Sequence, residues 1–95
     1  MNKNTIIDTE VNGLNVSNIF KTESTETLLI AIEKGTTFPT HTSPKDTLLV
    51  VLEGSINFYI DKENILLESQ QVYTFSKEVA HYVTANKNSK FLIIR

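Results

Sequence analysis

Apolar residues fall into short clusters rich in Ile, Val, Leu, Phe and Thr, each broken after a few positions by turn-forming residues. The clusters run from Leu14 to Phe20, Thr27 to Ile32, Thr47 to Leu52, Ser55 to Ile60, Ile65 to Leu67, Val72 to Phe75, His81 to Ala85 and Phe91 to Ile94. Runs this short, β-branched or aromatic and bounded by turns, read as strands. Their density predicts a sandwich or barrel. No segment carries the period of a long amphipathic helix. Asn12-Gly13, Lys34-Gly35, Ser43-Pro44-Lys45-Asp46, Glu53-Gly54, Asp61-Lys62-Glu63-Asn64 and Asn86-Lys87-Asn88-Ser89 carry turn chemistry, so adjacent strands are mostly antiparallel hairpins. Glu63 to Tyr73 is the least regular stretch, because Ile65-Leu66-Leu67 followed by Glu68-Ser69-Gln70-Gln71 also suits a helical turn. It is assigned to strand because Asp61 to Asn64 makes a good hairpin loop after Phe58-Tyr59-Ile60.

Alternation sorts the strand from Thr47 into two faces, with Thr47, Leu49 and Val51 on one side and Leu48, Val50 and Leu52 on the other. Both faces are apolar. A strand of that kind is covered on both sides, which predicts two packed sheets with a further layer or a partner subunit outside.

Length and composition narrow the class. At 95 residues the chain matches one domain, residues 1–95, in which the first 13 form an edge strand or a mobile arm. With 40% hydrophobic and 21% charged residues it can bury a core. So small a domain covers its apolar surface incompletely, which favours a homodimer. A net charge of −2, with scattered basic residues, provides no footprint for nucleic acid. The absence of Cys removes disulfides, thiolate ligands and a Cys nucleophile, and fits a reducing compartment. Met1 to Thr5 lacks the apolar stretch of a signal peptide, and no run approaches a membrane span, so a cytoplasmic location is expected.

Chemistry concentrates at His41 and His81. The segment Gly35-Thr36-Thr37-Phe38-Pro39-Thr40-His41-Thr42-Ser43-Pro44-Lys45-Asp46-Thr47-Leu48-Leu49-Val50-Val51-Leu52-Glu53-Gly54 resembles the first motif of the cupin family. That motif runs Gly, five residues, His, one residue, His, three or four residues, Glu, six residues, Gly. Both glycines, the first His and the spacing match, whereas Ser43 stands for the second His and Thr47 for the Glu. In the second motif, aligning the His with His81 puts Gln70, Ser76 and Glu78 where Gly, Pro and Gly are usual, and Ala85 at the Asn. The resemblance covers about Glu26 to Ile94, specific in the first motif and weak in the second. It implies an all-β fold, an antiparallel double-sheet β-barrel of the cupin or jelly-roll kind. It also implies that a site holding three His and one Glu around a metal in relatives is here reduced to His41, Ser43, Thr47 and His81.

Residues two apart on a strand share a face, so His41 and Ser43 are expected to project together into the barrel, with His81 joining from a facing strand. Neutral hydroxyls are poor ligands. Structural zinc usually takes four protein ligands, catalytic zinc three, and non-haem iron two His with a carboxylate. Asp46 is one residue out of phase with Thr47, and Glu78 sits in a loop just before His81. The leading expectation is therefore a non-catalytic module binding a small molecule through His41, Ser43, Thr47 and His81, with Phe58, Phe75, Leu49, Val51 and Val83 as apolar walls. A metal-dependent enzyme using a divalent transition metal on His41 and His81 is the alternative. A regulatory partner that dimerises through Leu48, Val50 and Leu52 is a third. The four polar residues also have a bland reading, as a plug that satisfies its own hydrogen bonds.

Overall fold

The β-branched clusters form strands in the computed structural model, which describes Lys3 and residues 5–95. Among those residues the strands are β1 (Leu14–Lys21), β2 (Glu26–Ile32), β3 (Thr37–His41), β4 (Thr47–Glu53), β5 (Ser55–Ile60), β6 (Glu63–Glu68), β7 (Val72–Phe75), β8 (His81–Ala85) and β9 (Ser89–Ile94). They build a five-stranded sheet in the order β1-β2-β9-β4-β7 and a four-stranded sheet in the order β3-β8-β5-β6. Every pairing is antiparallel. Of the stretch Glu63 to Tyr73, Glu63–Glu68 is a strand and Ser69-Gln70 a turn before β7, and the hairpin turn is Asp61-Lys62 alone, so Glu63 and Asn64, expected in the loop, pair with Ile60 and Tyr59. No helix among the described residues is long and apolar enough to cross a membrane.

One strand escaped the cluster pattern. β3 contains Pro39, and a proline inside a run argues against a central strand because it cannot donate to the ladder. The fold resolves this by placing β3 at the edge of the four-stranded sheet, paired only with β8.

Alternation along β4 holds. Thr47, Leu49 and Val51 are buried between the sheets, while Leu48, Val50 and Leu52 are half-buried on the outer face. Ile30, Ile32, Leu49, Val51, Ile56, Phe58, Val83 and Phe91 fill the space between the two sheets. On the outer face of the five-stranded sheet, Val72, Val50, Leu92 and Leu29 form one cross-strand row, in which Val72 remains exposed and Leu29 is buried.

The N-terminal segment, expected as an edge strand or mobile arm, contributes a 3-10 turn at Ile6–Asp8 against this outer face. Lys90 is 3% exposed, and its Nζ donates to the carbonyls of Ile6 at 2.8 Å and Ile7 at 3.1 Å, with Glu53 Oε1 at 3.4 Å. A buried ammonium is stable only when hydrogen-bonded and paired, so these contacts both satisfy Lys90 and hold the segment down. Met1, Asn2 and Asn4, which share that expectation, lie outside the described residues.

Two of the places where the chain changes sheets, Gly54 between β4 and β5 and Asn86 to Asn88 between β8 and β9, come into direct contact. The two corners are stitched together. Ser55 N donates to Ser89 Oγ at 3.0 Å, Ser89 Oγ donates to Lys87 O at 2.7 Å, and Asn86 Nδ2 donates to Ser55 Oγ at 3.2 Å.

Candidate functional site

A bulge creates the site. Phe38 pairs with Val83 and His41 with His81, with a register shift between them. Val83 and His81 are two apart and share the inner face of β8, whereas Phe38 and His41 are three apart and regular pleating would send them to opposite faces. The extra residue re-aims the strand so that both rings turn inward. The His41 ring then stacks on Phe38, with centroids 4.3 Å apart and planes 19° from parallel. His81 rests between Phe75, at 4.6 Å, and Phe58, at 5.3 Å. His81 thus joins His41 from the neighbouring strand of the same sheet, rather than from a facing one.

The two imidazoles meet at Nε2, 3.1 Å apart. Their outer nitrogens are held alike. His41 Nδ1 lies 2.7 Å from Pro39 O and His81 Nδ1 lies 2.8 Å from Val79 O, in each case the carbonyl two residues back. A carbonyl oxygen only accepts, so each Nδ1 carries the hydrogen and each neutral ring presents a bare Nε2 lone pair to the other. Burial, first, holds His81 below the ordinary histidine pKa, and the charges of His41 and Arg95 push the same way against the Val79 hydrogen bond.

This sets the sign of a pH effect. Because the folded chain disfavours protonated His81, the unfolded chain binds more protons in the interval below 6.5. The stability linked to neutral His81 is full above that value and is lost as pH falls through the depressed folded pKa. Imidazole ¹⁵N–¹H spectra across the titration should show His81 protonating below 6.5, and His81→Gln should flatten this part of the urea-midpoint profile. A His81 transition at or above the ordinary value would contradict the geometry.

Ser43 and Thr47 behave differently from the histidines. Ser43 sits in the loop after β3, 2% exposed, rather than continuing the strand alternation from His41. Its Oγ donates to Lys45 O at 2.9 Å and accepts from Thr47 Oγ1 at 2.9 Å. Both hydroxyl protons are therefore committed to closing the turn between Thr42 and Asp46. Asp46 Oδ1 accepts from Lys77 N at 3.0 Å, Glu78 is exposed, and neither lines the cavity beside the histidines.

That cavity, about 320 Å³, opens between the two sheets and is lined by His41, Thr42, Ser43, His81 and Arg95, with walls that include Val16, Leu28, Ile30, Phe38, Phe75 and Ile93. Of the apolar walls expected from sequence, Phe75 faces this opening. Leu49, Phe58 and Val83 close the floor, where a gap of only about 10 Å³ remains, and Val51 lines neither space. Thr47 stands behind Ser43, outside the cavity lining.

Arg95 is the residue that reading the sequence for chemistry passed over. The signal was present: it is the sole Arg of the chain and follows the apolar run of β9. Its backbone pairs with Glu26 through Glu26 N to Arg95 O at 2.6 Å and Arg95 N to Glu26 O at 2.9 Å. Its Nε donates to Glu26 Oε1 at 2.9 Å, and Nη1 reaches Ser43 Oγ at 3.4 Å.

A resident metal can be tested against these donors. Ligand distances of about 2.1 Å place two bound imidazole nitrogens roughly 3 to 3.4 Å apart, and a carbonyl on each Nδ1 is a usual support for a ligating histidine. The two Nε2 atoms meet that requirement. The set stops there: among the described residues no group of three His, Cys, Asp or Glu converges, and the nearest hydroxyls are committed. Two imidazoles beside a guanidinium do not complete a catalytic or structural site of the usual kind.

Comparison with known proteins supports the same architecture. The family model described as Cupin domain matches residues 28–94. No curated protein matches the chain. Among solved structures, an RmlC-like cupin protein from Desulfovibrio desulfuricans superposes with a TM-score of 0.87 at 19% identity, covering 99% of this chain and 93% of that one. A cupin superfamily protein from Desulfitobacterium hafniense gives 0.83 at 18% identity, covering 92% and 80%. A conserved Streptococcus pyogenes protein of unknown function gives 0.80 at 19% identity, covering 90% and 75%. At these identities the likeness concerns the fold.

Proposed function

The chain belongs to the cupin domain family, and from that premise we propose that it is a binding module that takes a small polar molecule into the mouth between its two sheets. The observation that carries this reading is the cavity of about 320 Å³, in which His41, His81 and Arg95, with Thr42 and Ser43, share the lining with six apolar side chains. A concave, mostly apolar pocket with a few convergent polar groups is the usual composition of a ligand site. The volume lies at the small end of the range for such pockets, which restricts the ligand to a small molecule. Ser43 and Thr47 serve this reading by holding the loop that forms one wall, because their hydroxyl protons are already used.

Screening small polar molecules by thermal shift and by ¹H–¹⁵N chemical-shift perturbation tests the proposal. Binders should perturb His41, Thr42, His81 and Arg95 together. Val16 lines the cavity from β1 and is half exposed, so Val16→Trp should fill the mouth at little cost to the core and abolish those perturbations. Binders that map elsewhere, or that survive Val16→Trp unchanged, would refute it.

The facing Nε2 atoms with anchored Nδ1 atoms support a second reading, a metal-dependent enzyme in which His41 and His81 contribute two ligands. Elemental analysis of protein purified without chelator separates the two. A binding module should be metal-free, with an unchanged melting temperature in chelator. A stoichiometric transition metal that disappears in His41→Ala would instead favour the second reading.

A further inference from the structure

We infer that the ligand of this cavity carries a carboxylate, received by the Nη edge of Arg95, with an apolar body laid against the Leu28, Phe38 and Ile93 walls. The inference rests on the binding-module reading above and specifies its ligand class.

The charge in the cavity is one-sided. Among the described residues Arg95 is the only Lys, Arg, Asp or Glu in the lining, so a bound anion meets a permanent positive charge and no acidic side chain. Glu26 does not cancel that role. It engages Arg95 at Nε alone, through Oε1, while its Oε2 accepts from Asn18 Nδ2 at 2.9 Å and lies 4.0 Å from Lys21 Nζ. One carboxylate shared between two cations and an amide leaves the outer edge of the guanidinium with unspent charge. A guanidinium has five N–H donors in a planar fork. Nε–H goes to Glu26, and one Nη1–H makes a long contact of 3.4 Å with Ser43 Oγ. Three Nη hydrogens remain for a ligand, enough for a two-point contact with a carboxylate.

The guanidinium is also held in advance. Backbone hydrogen bonds between Arg95 and Glu26 in both directions, together with the Nε pair, fix both ends of the side chain, and it is only 20% exposed. Little rotamer freedom remains to be lost on binding, and the partly dry setting strengthens the charge contact. Glu26 is here a positioning residue and Arg95 a binding residue.

Isothermal titration and shift perturbation with two matched pairs, benzoate with benzamide and hexanoate with hexanamide, test the inference on the unmutated chain. Shape is nearly constant within each pair and only the charge changes. Each carboxylate should bind in the cavity at least tenfold more tightly than its amide, with the Arg95 side-chain resonances moving most. The preference should vanish in Arg95→Gln and be partly retained in Arg95→Lys. Amides that bind the cavity as well as the carboxylates would overturn the inference while leaving the binding module standing. If neither series binds the cavity while other molecules do, the inference alone falls. If no small molecule perturbs the cavity residues, the binding-module reading and this inference fail together. Because the carboxylate–amide comparison needs no substitution, a poorly folded Arg95→Gln chain would not rescue a negative result.

Discussion

Phe58→Ala is expected to lower the unfolding free energy by about 4 kcal/mol, the cost of removing a fully packed phenylalanine and leaving a cavity. Phe58 lies on β5 at 1% exposure, between Phe75 at 5.0 Å and Tyr73 at 5.5 Å, with His81 stacked above it at 5.3 Å. Its neighbours belong to both sheets, β7 on one side and β8 on the other, so little can collapse into the hole without shifting a strand. The consequence reaches the site, because the ring that supports His81 from below is gone. Urea unfolding should show the loss in the midpoint at nearly constant slope, and imidazole ¹⁵N–¹H spectra should show His81 no longer coupled to His41. Phe58→Leu, which keeps most of the volume, should cost about 1.5 kcal/mol. A Phe58→Ala chain within about 1 kcal/mol of the parent would mean that the two sheets are not packed around this ring.

The second large effect is expected from a single methyl group. Gly54→Ala should cost roughly 3 kcal/mol, since the residue adopts φ +95 and an added Cβ would strike Ser89 Oγ, Asn88 O at 2.6 Å and Ser89 Cα at 2.7 Å. Two of those obstacles are backbone and the third is a hydroxyl already bonded to Ser55 N, so the clash cannot be relieved by a flexible side chain. Gly13 and Gly35 provide the internal control. Both have positive φ, but a Cβ there meets nothing within 4 Å. Gly13→Ala and Gly35→Ala should therefore cost only the left-handed backbone strain, roughly 1 to 2 kcal/mol. Equal losses at all three positions would show that conformation alone, and not the close approach of the two corners, explains Gly54.

These two positions show how far the sequence is informative. Gly54 ends the matched motif, and its place at a turn was legible, but nothing in Glu53-Gly54-Ser55 reveals that Ser89 arrives at its α-carbon. Phe58 was expected as a wall of the pocket and is instead part of its floor, one residue layer deeper. The inward set on β4 was read correctly because strand alternation is a local property. The same rule misled at His41: it pairs Ser43 with the histidine on one face, but the strand ends at His41, and Ser43 is buried through its loop hydrogen bonds. A bulge changes the parity of a strand, and no residue pattern in Phe38-Pro39-Thr40-His41 states where the parity breaks.

From its residues alone this chain was determined to be an antiparallel double-sheet protein of cupin type with two histidines as its only imidazoles, because strand period, turn chemistry and a spaced motif are all local quantities. Tertiary structure decided that β3 lies at an edge where Pro39 is harmless, that His41 and His81 meet at Nε2, and that Arg95 reaches their cavity from the end of β9. Each of these depends on which strands become neighbours. That choice is made by the burial of the whole apolar set at once, so no segment of the chain carries it.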